Sequence, residues 1–539
     1  MADRSGVAIT TDDDGSPRLA FLNEFNAADV FIDRHVAEGR GSKVAIRGVD
    51  GDVTYASLTE NVNRFGNALR SLKLKTGDRV LMILADCPEF FYLFWGAVKR
   101  RIVPVPINTL LRAHDFAGII RHSECAAVFY SREFASEVKA GVDLAKRHDL
   151  TVLDVEVLFE RACGQSAQLA SLPGSADDDC FWLYSSGTTG EPKGVVHAHA
   201  SLAVVCHLFS ERVLGAHADD VIFSVPRLSF SYGIGIAMAT PLWFGATTIL
   251  DRRRQTPDTI REIFRRFSPT VFAAVPSAYA KLLAEADFSG DELSKLRRCL
   301  SGGEATPPDL LRRWQTLCGL PILEVIGSTE AGFIYIAMPP DNVHPGTTGK
   351  PVPGYSVRIV DGAGKDVPDH VAGRLLVCGQ GVMRRYWKNP QKTASALVGS
   401  WFDTGDVFFR DADGYYVFCG RADDMFKSGA RWISPFEVES AITRHPAVLE
   451  AAVVERADDC GLVKPEAWIV LSGGHKASDE IADEIRAVCK RELAPYKYPY
   501  WIRFIDELPK TATGKVQRYM LRNNPTAIQK QWNNAYAKD

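Results

Sequence analysis

The sequence YSSGTTGEPKG at positions 184–194 decides how the rest of the chain is interpreted, and it follows an apolar run at 180–183 that predicts a strand. Glycines such as Gly187 and Gly190 let backbone N–H groups turn toward anionic oxygens. Lys193 adds a compact positive charge. Further hydroxyl donors come from Ser185, Ser186, Thr188 and Thr189. Together these residues predict a loop that binds a polyphosphate.

This loop differs from that of the P-loop NTPases, which requires the pattern G-x-x-x-x-G-K-[ST]. Here Lys193 precedes Gly194, and neither Ser nor Thr follows the lysine. A flexible linker is the other interpretation, but a linker has no need for Pro192 and a lysine inside a Gly and Thr pattern. We therefore predict a phosphate loop of a different class.

Around the loop, short apolar runs alternate with helical patterns, which is typical of an α/β protein. We predict strands at 79–84, 126–130 and 271–275, with helices at 89–101 and 277–286. The uncharged run 228–250 is long enough to cross a membrane, but it contains four glycines and prolines at positions 233, 235, 241 and 245. We predict a short buried helix that ends at Gly245, followed by a buried strand at 246–250.

Length and composition predict a globular protein with more than one domain, because 539 residues exceed a single hydrophobic core. A net charge of −3 does not favour a protein that binds nucleic acid. Eleven cysteines without a C-x-x-C pair argue against a zinc site or a disulfide framework, and residues 1–17 lack the apolar segment of a signal peptide. We expect a cytoplasmic protein that is not bound to a membrane. A helix, strand, strand, helix pattern beyond 429 predicts two domains, 1–422 and 423–539.

Five further motifs follow the loop in a fixed order: SGGE at 301–304, IGSTE at 326–330, WFDTGD at 401–406, GRADD at 420–424 and TGK at 513–515. With the loop, they identify the chain as resembling the acyl-adenylate-forming superfamily of acyl-CoA synthetases, adenylation domains and luciferases. The resemblance covers nearly the whole chain. It implies an α/β fold with a large, multi-subdomain N-terminal adenylate-forming domain and a small, mobile C-terminal α+β domain.

The resemblance implies ATP, magnesium and coenzyme A as cofactors and assigns roles in adenylation. Glu330 would hold magnesium, since carboxylate oxygens suit this ion, and Thr329 and Thr189 would contact phosphate. Lys515 would bridge the acid carboxylate and the α-phosphate. The resemblance implies that Gly303 and Glu304 lie along the adenine of ATP. It implies that Asp406 and Arg421 contact the ribose.

The family uses a second domain orientation for thioester formation, so the resemblance implies a hinge at Asp423. It also implies that Lys427, Ser428 and Gly429 approach coenzyme A. Ala430 departs from the two adjacent glycines that many relatives carry here. Acetylation of Lys515 and a homodimer are further implications, with a lysine acetyltransferase and a deacetylase as candidate partners.

The acid pocket resembles that of the benzoate and 4-hydroxybenzoate CoA ligases, whose lining corresponds to Ser231, Tyr232, Gly327, Phe333 and Ile334. Aromatic walls suit an aromatic acid. Benzoate ligases carry His at the Phe333 position, and this departure favours 4-hydroxybenzoate or a close relative over benzoate. The predicted reaction converts an aryl acid, ATP and coenzyme A to aryl-CoA, AMP and pyrophosphate.

Other functions stay open at this stage. The acid could be another aromatic, alicyclic or medium-chain acid. A catalytically silent acid-binding relative is the alternative outside the enzymes, although it would be expected to have lost Lys515, Glu330 or Asp406. A luciferase is a further enzyme class. His197 and His199 form an H-x-H pattern, but no partner at metal-ligand spacing follows, so we interpret both as structural.

Overall fold

The computed structural model describes residues 6–12, 15–49, 51–186, 192–285, 288, 290–428, 431–510 and 516–523. Six of the residues predicted for the site lie outside these ranges: Gly187, Thr188, Thr189, Gly190, Gly429 and Lys515.

The largest sheet of the described chain has nine strands. Six adjacent strands in it run parallel to one another. Parallel neighbours need crossover connections, which are usually helices. Both faces are therefore covered, and the central strands are buried and apolar. The spatial order is Lys350–Pro351, Phe333–Ala337, Ile322–Ser328, Arg298–Gly302, Val271–Ala274, Val221–Ser224, Thr247–Leu250, Val44–Gly48 and Gly51–Thr54.

A second sheet has four parallel strands in the order Val103–Pro106, Arg79–Ile83, Ala127–Tyr130 and Thr151–Asp154. The predictions of strands at 79–84, 126–130 and 271–275 are confirmed. The helix predicted at 89–101 is Pro88–Lys99, and it ends early because Arg101 adopts φ +53. The helix predicted at 277–286 is Pro276–Glu285.

Antiparallel strands build the remaining sheets of the large unit. Val7–Thr11 pairs with Pro17–Phe21, and Asp179–Ser186 pairs with Pro192–Ala198, which continues to Arg385–Tyr386. A five-stranded sheet consists of Tyr355–Val360, Gly373–Gly379, Trp401–Arg410, Leu397–Val398 and Tyr416–Arg421.

The helices of the large unit cover these sheets. The run 228–250 forms successive helical segments Ser231–Gly233, Ile234–Ala239 and Thr240–Phe244, ends at Gly245 with φ +70, and continues as Thr247–Leu250, as predicted. No helix in the described ranges is long and apolar enough to cross a membrane. The other helical segments are Asp29–Asp33, Arg34–Ala37, Tyr55–Ser71, Ala113–Ser123, Arg132–Phe134, Ala135–Ala145, Val155–Cys163, Ser201–Val205, Cys206–Glu211, Pro257–Phe267, Gly290–Leu293, Pro308–Cys318 and Pro390–Ala396.

The C-terminal part forms a smaller α+β unit with its own apolar core. The predicted helix, strand, strand, helix pattern is confirmed as Pro435–Ile442, Val448–Ala457, Val463–Leu471 and Asp479–Glu492. Trp501–Phe504 adds a parallel strand to this sheet. The unit also contains Phe426–Ser428, Arg431–Ile433 and Arg518–Asn523.

Two glycines set the distance between helices Tyr55–Ser71 and Pro88–Lys99. A Cβ atom on Gly96 would lie 2.8 Å from the backbone nitrogen of Gly66 and 2.9 Å from the carbonyl oxygen of Val62. These neighbours are backbone atoms, so they cannot move aside independently of the helix. The close contact of the two helices therefore requires glycine at position 96.

We predict that Gly96→Ala lowers the free energy of unfolding by about 1–3 kcal/mol through overpacking. Gly118→Ala is the control, because it also lies within a helix, Ala113–Ser123, yet a Cβ there meets no atom within 4 Å. The control should be neutral or stabilising, since alanine favours a helix over glycine. Thermal unfolding compares the three proteins, and equal midpoints for both variants would contradict the packing argument.

Candidate active site

The carboxylate of Glu330 joins three separate segments of the large unit. Its Oε1 atom accepts hydrogen bonds from Ser185 Oγ at 2.9 Å and from Tyr386 Oη at 3.0 Å. Its own backbone carbonyl accepts from the Met383 N–H at 2.7 Å. The end of the phosphate-loop strand, the IGSTE motif and the segment 383–387 therefore meet at one carboxylate.

The two ends of the predicted phosphate loop are held as a hairpin. Ser186 pairs with Pro192 and Ser185 pairs with Lys193 across the antiparallel strands. The Lys193 Nζ atom lies 5.9 Å from the centroid of the Tyr386 ring. Burial and then the nearby Lys392 lower the pKa of Lys193, while Glu330 acts in the opposite direction. The lysine is thus placed beside Glu330, where an added polyphosphate would favour its charged form.

The hairpin is bonded to His122 of helix Ala113–Ser123, a residue that the sequence did not single out. Its Nδ1 atom lies 2.8 Å from Tyr184 Oη, and its carbonyl accepts from Trp387 Nε1 at 3.1 Å. The backbone N–H of Trp387 donates to the Gly194 carbonyl at 2.8 Å. Both ends of the motif 184–194 are therefore fixed from outside the loop.

Asp406 and Arg421, both predicted for the ribose, face each other on paired strands. Arg421 Nη1 donates to Asp406 Oδ1 at 2.7 Å and to the Thr404 carbonyl at 2.8 Å. Burial, and then the Asp406 carboxylate, raises the pKa of the neighbouring Tyr335 phenol. The ion pair holds the Asp406 carboxylate in one orientation, which suits an acceptor for two adjacent hydroxyls.

The predicted adenine strip continues from strand Arg298–Gly302. Gly303 has φ +94, which glycine adopts without cost, and both Gly303 and Glu304 are exposed. Two hydrogen bonds hold the residues around this strip. The buried Glu324 carboxylate accepts the Thr306 N–H at 2.9 Å, and Thr306 Oγ1 donates to Ser301 Oγ at 2.8 Å. Burial raises the pKa of Glu324 to about 7.

The predicted acid-pocket residues are brought together beside the phosphate hairpin. Thr329 Oγ1 donates to Ser231 Oγ at 3.3 Å, so the predicted phosphate and acid contacts are adjacent. The Tyr232 ring lies against Gly302, since its Cε1 would be 3.5 Å from a Cβ there. Its hydroxyl is buried and has no hydrogen-bond partner within the described ranges. Ile334 is buried.

Phe333 has a strained backbone, with φ +79, a conformation that is rare for an aromatic residue. A Cβ on Gly327 would lie 1.3 Å from the Phe333 carbonyl oxygen, and one on Gly235 would lie 3.1 Å from its ring. Phe333 therefore requires glycine at position 327 and is packed tightly against Gly235. Strain of this kind persists where surrounding structure enforces it, often at functional sites.

The H-x-H histidines lie behind this pocket. The His197 ring stacks on Phe181 with a centroid distance of 4.9 Å, and it lies 5.8 Å from the Phe333 ring. Burial lowers the pKa of His197 to about 4. The Nδ1 atom of His199 accepts the Ala27 N–H at 3.2 Å. Both are buried within the packing of the large unit.

The described ranges contain no cluster of three or more His, Cys, Asp or Glu side chains that could hold a metal ion. Magnesium bound with substrate phosphates keeps several waters and needs only one or two protein carboxylates. Glu330 meets that requirement, because the side-chain hydrogen bonds that it accepts from described residues both fall on Oε1. The donor set therefore fits a magnesium ion that is shared with phosphate.

The residues predicted for coenzyme A lie in the small unit, and the structure limits what Ser428 can do. Its side chain is buried and donates to the Val463 carbonyl at 2.7 Å. Lys427 is exposed. A contact of Ser428 with coenzyme A would therefore use its backbone.

Sequence comparison matches residues 33–387 to the AMP-binding enzyme family and residues 437–515 to the AMP-binding enzyme C-terminal domain. The chain belongs to the AMP-binding enzyme family. The predicted superfamily and its two-part fold are thereby confirmed. The two matched segments correspond to the large and small units of the structure.

This AMP-binding enzyme resembles ligases for aromatic acids over almost its whole length. It is 42% identical to a benzoate–CoA ligase of Thauera aromatica, over 94% of this chain and 97% of the relative. It is 41% identical to a 4-hydroxybenzoate–CoA/benzoate–CoA ligase of Rhodopseudomonas palustris, over 93% and 94%. A solved benzoate CoA ligase from Burkholderia xenovorans superposes with a TM-score of 0.87 at 37% identity, covering 93% and 100%.

Glu324 generates a prediction for pH dependence. A pKa raised from 4.5 to about 7 means that the folded protein favours the protonated carboxyl, so its contribution to stability is present below pH 4.5 and is lost as the pH rises through 7. We expect Glu324→Gln, which mimics the protonated acid, to gain stability relative to the parent by about 2–3 kcal/mol between pH 5 and pH 8.

Urea unfolding at both pH values measures this difference. The exposed Glu60→Gln is the control and should show no comparable pH dependence. A stability difference between Glu324→Gln and the parent that stays constant across this range would contradict the prediction.

Proposed function

We propose that this AMP-binding enzyme is an AMP-forming aryl-acid CoA ligase. The observation that carries the proposal is that Glu330 accepts from Ser185 of the phosphate hairpin, while the adjacent Thr329 donates to Ser231, a residue predicted for the acid pocket. The near full-length resemblance to a benzoate–CoA ligase supports the same activity. ATP and coenzyme A are its co-substrates.

In the first half-reaction, a carboxylate oxygen of the acid attacks the α-phosphorus of ATP, and pyrophosphate leaves. Lys193 would attract the phosphates, and Asp406 with Arg421 would orient the ribose. Glu330 would hold the magnesium ion, which neutralises phosphate charge when bound. Lys515, Thr189 and the loop residues Ser185, Ser186 and Gly187 to Gly190 complete the proposed adenylation site. Catalysis here rests on positioning and electrostatics.

In the second half-reaction, the thiol sulfur of coenzyme A attacks the acyl carbon, a thioester forms and AMP leaves. This step requires the small unit to present Lys427 and the backbone of Ser428 and Gly429, so we propose that the two units reorient about Asp423.

The contacts on either side of Asp423 support that hinge and the boundary between 1–422 and 423–539. The Ala422 N–H donates to the Gly405 carbonyl at 2.9 Å in the large unit. The Asp424 carboxylate instead accepts from Arg522 at 3.0 Å, in helix Arg518–Asn523 of the small unit. Asp423 itself is exposed between these attachments.

The proposed acid is 4-hydroxybenzoate, benzoate or a close aromatic relative. The tyrosine and phenylalanine rings and the glycines that flank them favour a flat substrate. A buried Tyr232 hydroxyl without a protein partner in the described ranges favours an acid with a polar ring substituent.

We also propose regulation by acetylation, assembly as a homodimer and a cytoplasmic location. Acetylation of Lys515 would remove its charge and block adenylation. A homodimer rests on family analogy alone. A cytoplasmic location is supported by the eleven cysteines, all of which are free thiols.

The activity is tested by AMP release with ATP, magnesium and coenzyme A across benzoate, hydroxybenzoates, aminobenzoates, cyclohexanecarboxylate and medium-chain fatty acids. We expect CoA-dependent turnover of 4-hydroxybenzoate or benzoate to exceed that of every aliphatic acid. Turnover of aliphatic acids alone would contradict the aromatic pocket but keep the chemistry. Absence of AMP with every acid would favour the acid-binding alternative.

Assays of the separate half-reactions test Lys515 and Asp423. Lys515→Ala should lower adenylate formation by at least about a hundredfold and spare thioester formation from supplied acyl-adenylate, because its charge is needed at the α-phosphate. Asp423→Pro should impair thioester formation more than adenylation, because proline fixes φ at the hinge.

The controls for these variants are the exposed Lys476→Ala and the matched Asp423→Ala, which keeps backbone freedom. If Lys515→Ala retains adenylation, or if Asp423→Pro slows both half-reactions equally, the corresponding assignment is wrong.

A further inference from the structure

Tyr386 touches both charged groups that the proposed function places at the phosphates. Its hydroxyl donates to Glu330 Oε1 at 3.0 Å, and its ring lies 5.9 Å below the ammonium of Lys193. It lies outside the six motifs that revealed the family. Its side chain is nevertheless only 5% exposed, which makes its contacts with Glu330 and Lys193 persistent rather than incidental.

The position of Tyr386 is fixed by the backbone around it. Tyr386 pairs with Val195 on the strand that carries Lys193, and its N–H donates to Thr393 Oγ1 at 3.1 Å. The neighbouring Met383 N–H donates to the carbonyl of Glu330 itself. Tyr386 is therefore kept next to Glu330 by its own hydroxyl bond and by the backbone bond of the nearby Met383.

The hydrogen bonds to Glu330 are distributed unequally between its two oxygens. A carboxylate oxygen has two lone-pair directions, and Ser185 and Tyr386 both donate to Oε1. Among the described residues, no side chain donates to Oε2. A phenol O–H can donate to a carboxylate oxygen, which accepts only, so Tyr386 is the donor of this pair.

We propose that Tyr386 is a positioning residue for the metal-binding carboxylate: it fixes Glu330 through Oε1 and thereby directs Oε2 toward a magnesium ion shared with the ATP phosphates. This inference rests on the proposed function. A carboxylate held by partners of this kind binds metal more tightly than a freely rotating one, because less orientational freedom is lost on binding.

The test is metal-dependent nucleotide binding, which needs neither acid nor turnover. The affinity for α,β-methylene-ATP is measured by calorimetry with Mn²⁺ and again with EDTA. We expect Tyr386→Phe to weaken binding of the Mn²⁺ complex by about tenfold, as loss of a partner to a metal-ligating group does. Binding of the metal-free nucleotide should change less than about twofold, and this also reports that the variant is folded.

Tyr55→Phe is the matched control, because it also removes a buried hydroxyl, here bonded to the Ala246 carbonyl at 2.6 Å away from the site. It should leave both affinities unchanged. In a Glu330→Gln background, Tyr386→Phe should cause no further loss of Mn²⁺-dependent affinity, because the two residues act as a unit.

Two results would overturn this inference without affecting the proposed function. One is an unchanged Mn²⁺-dependent affinity in Tyr386→Phe. The other is a loss of affinity from Tyr386→Phe that is equally large in the parent and in the Glu330→Gln background. If the parent protein binds the nucleotide with equal affinity in Mn²⁺ and in EDTA, the metal role proposed for Glu330 fails as well. Tight Mn²⁺-dependent binding in the parent together with an unaffected Tyr386→Phe would leave the proposed function intact.

Discussion

The Oε1 atom of Glu330 receives two hydrogen bonds from residues that lie 145 and 56 positions away in the sequence. These bonds connect the hairpin that carries the phosphate loop, the last parallel strand of the nine-stranded sheet and the segment 383–387. Charged acceptors strengthen such bonds, and a partly buried carboxylate without donors would be costly. The carboxylate that is proposed to hold the metal therefore also helps to hold the phosphate hairpin in place.

The residues proposed to line the acid pocket depend on a different constraint, the close approach of backbone to backbone. Gly327 permits the Phe333 carbonyl to lie where any side chain would clash, and Gly235 gives space to the Phe333 ring. The positive φ of Phe333 costs energy that the surrounding packing must offset. The position of Phe333 is therefore set by contacts with the backbone around it as well as by its own side chain.

The residues proposed to contact the ribose lie close in sequence to the proposed hinge. Asp406 and Arg421 form an ion pair within the large unit, and the strand that carries Arg421 leads directly to Asp423. The side chain of Asp424, by contrast, accepts from Arg518 and Arg522 of the small unit. A nucleotide that engages the pair would contact the final residues before the proposed pivot, so nucleotide binding and domain orientation would influence each other.

The sequence by itself determined the α/β class, the buried helix and strand in the uncharged run, the pattern of the small unit and the order of motifs that identify the family. These features are local: they depend on periodicity, on glycine and proline positions and on residues within a few places of one another. The roles of the phosphate-loop residues and of Lys515 are proposals from the sequence, because they follow from the motifs alone.

Only the tertiary structure revealed Tyr386, His122 and Glu324 and the backbone strain of Phe333. His122 meets Trp387 across 265 positions, and no local pattern in either segment encodes that contact. The buried state of Glu324 follows from the strands and the adenine strip packed around it, and its pKa follows from burial. Such properties arise from groups brought together by long-range packing, and so they depend on the completed fold rather than on any single stretch of sequence.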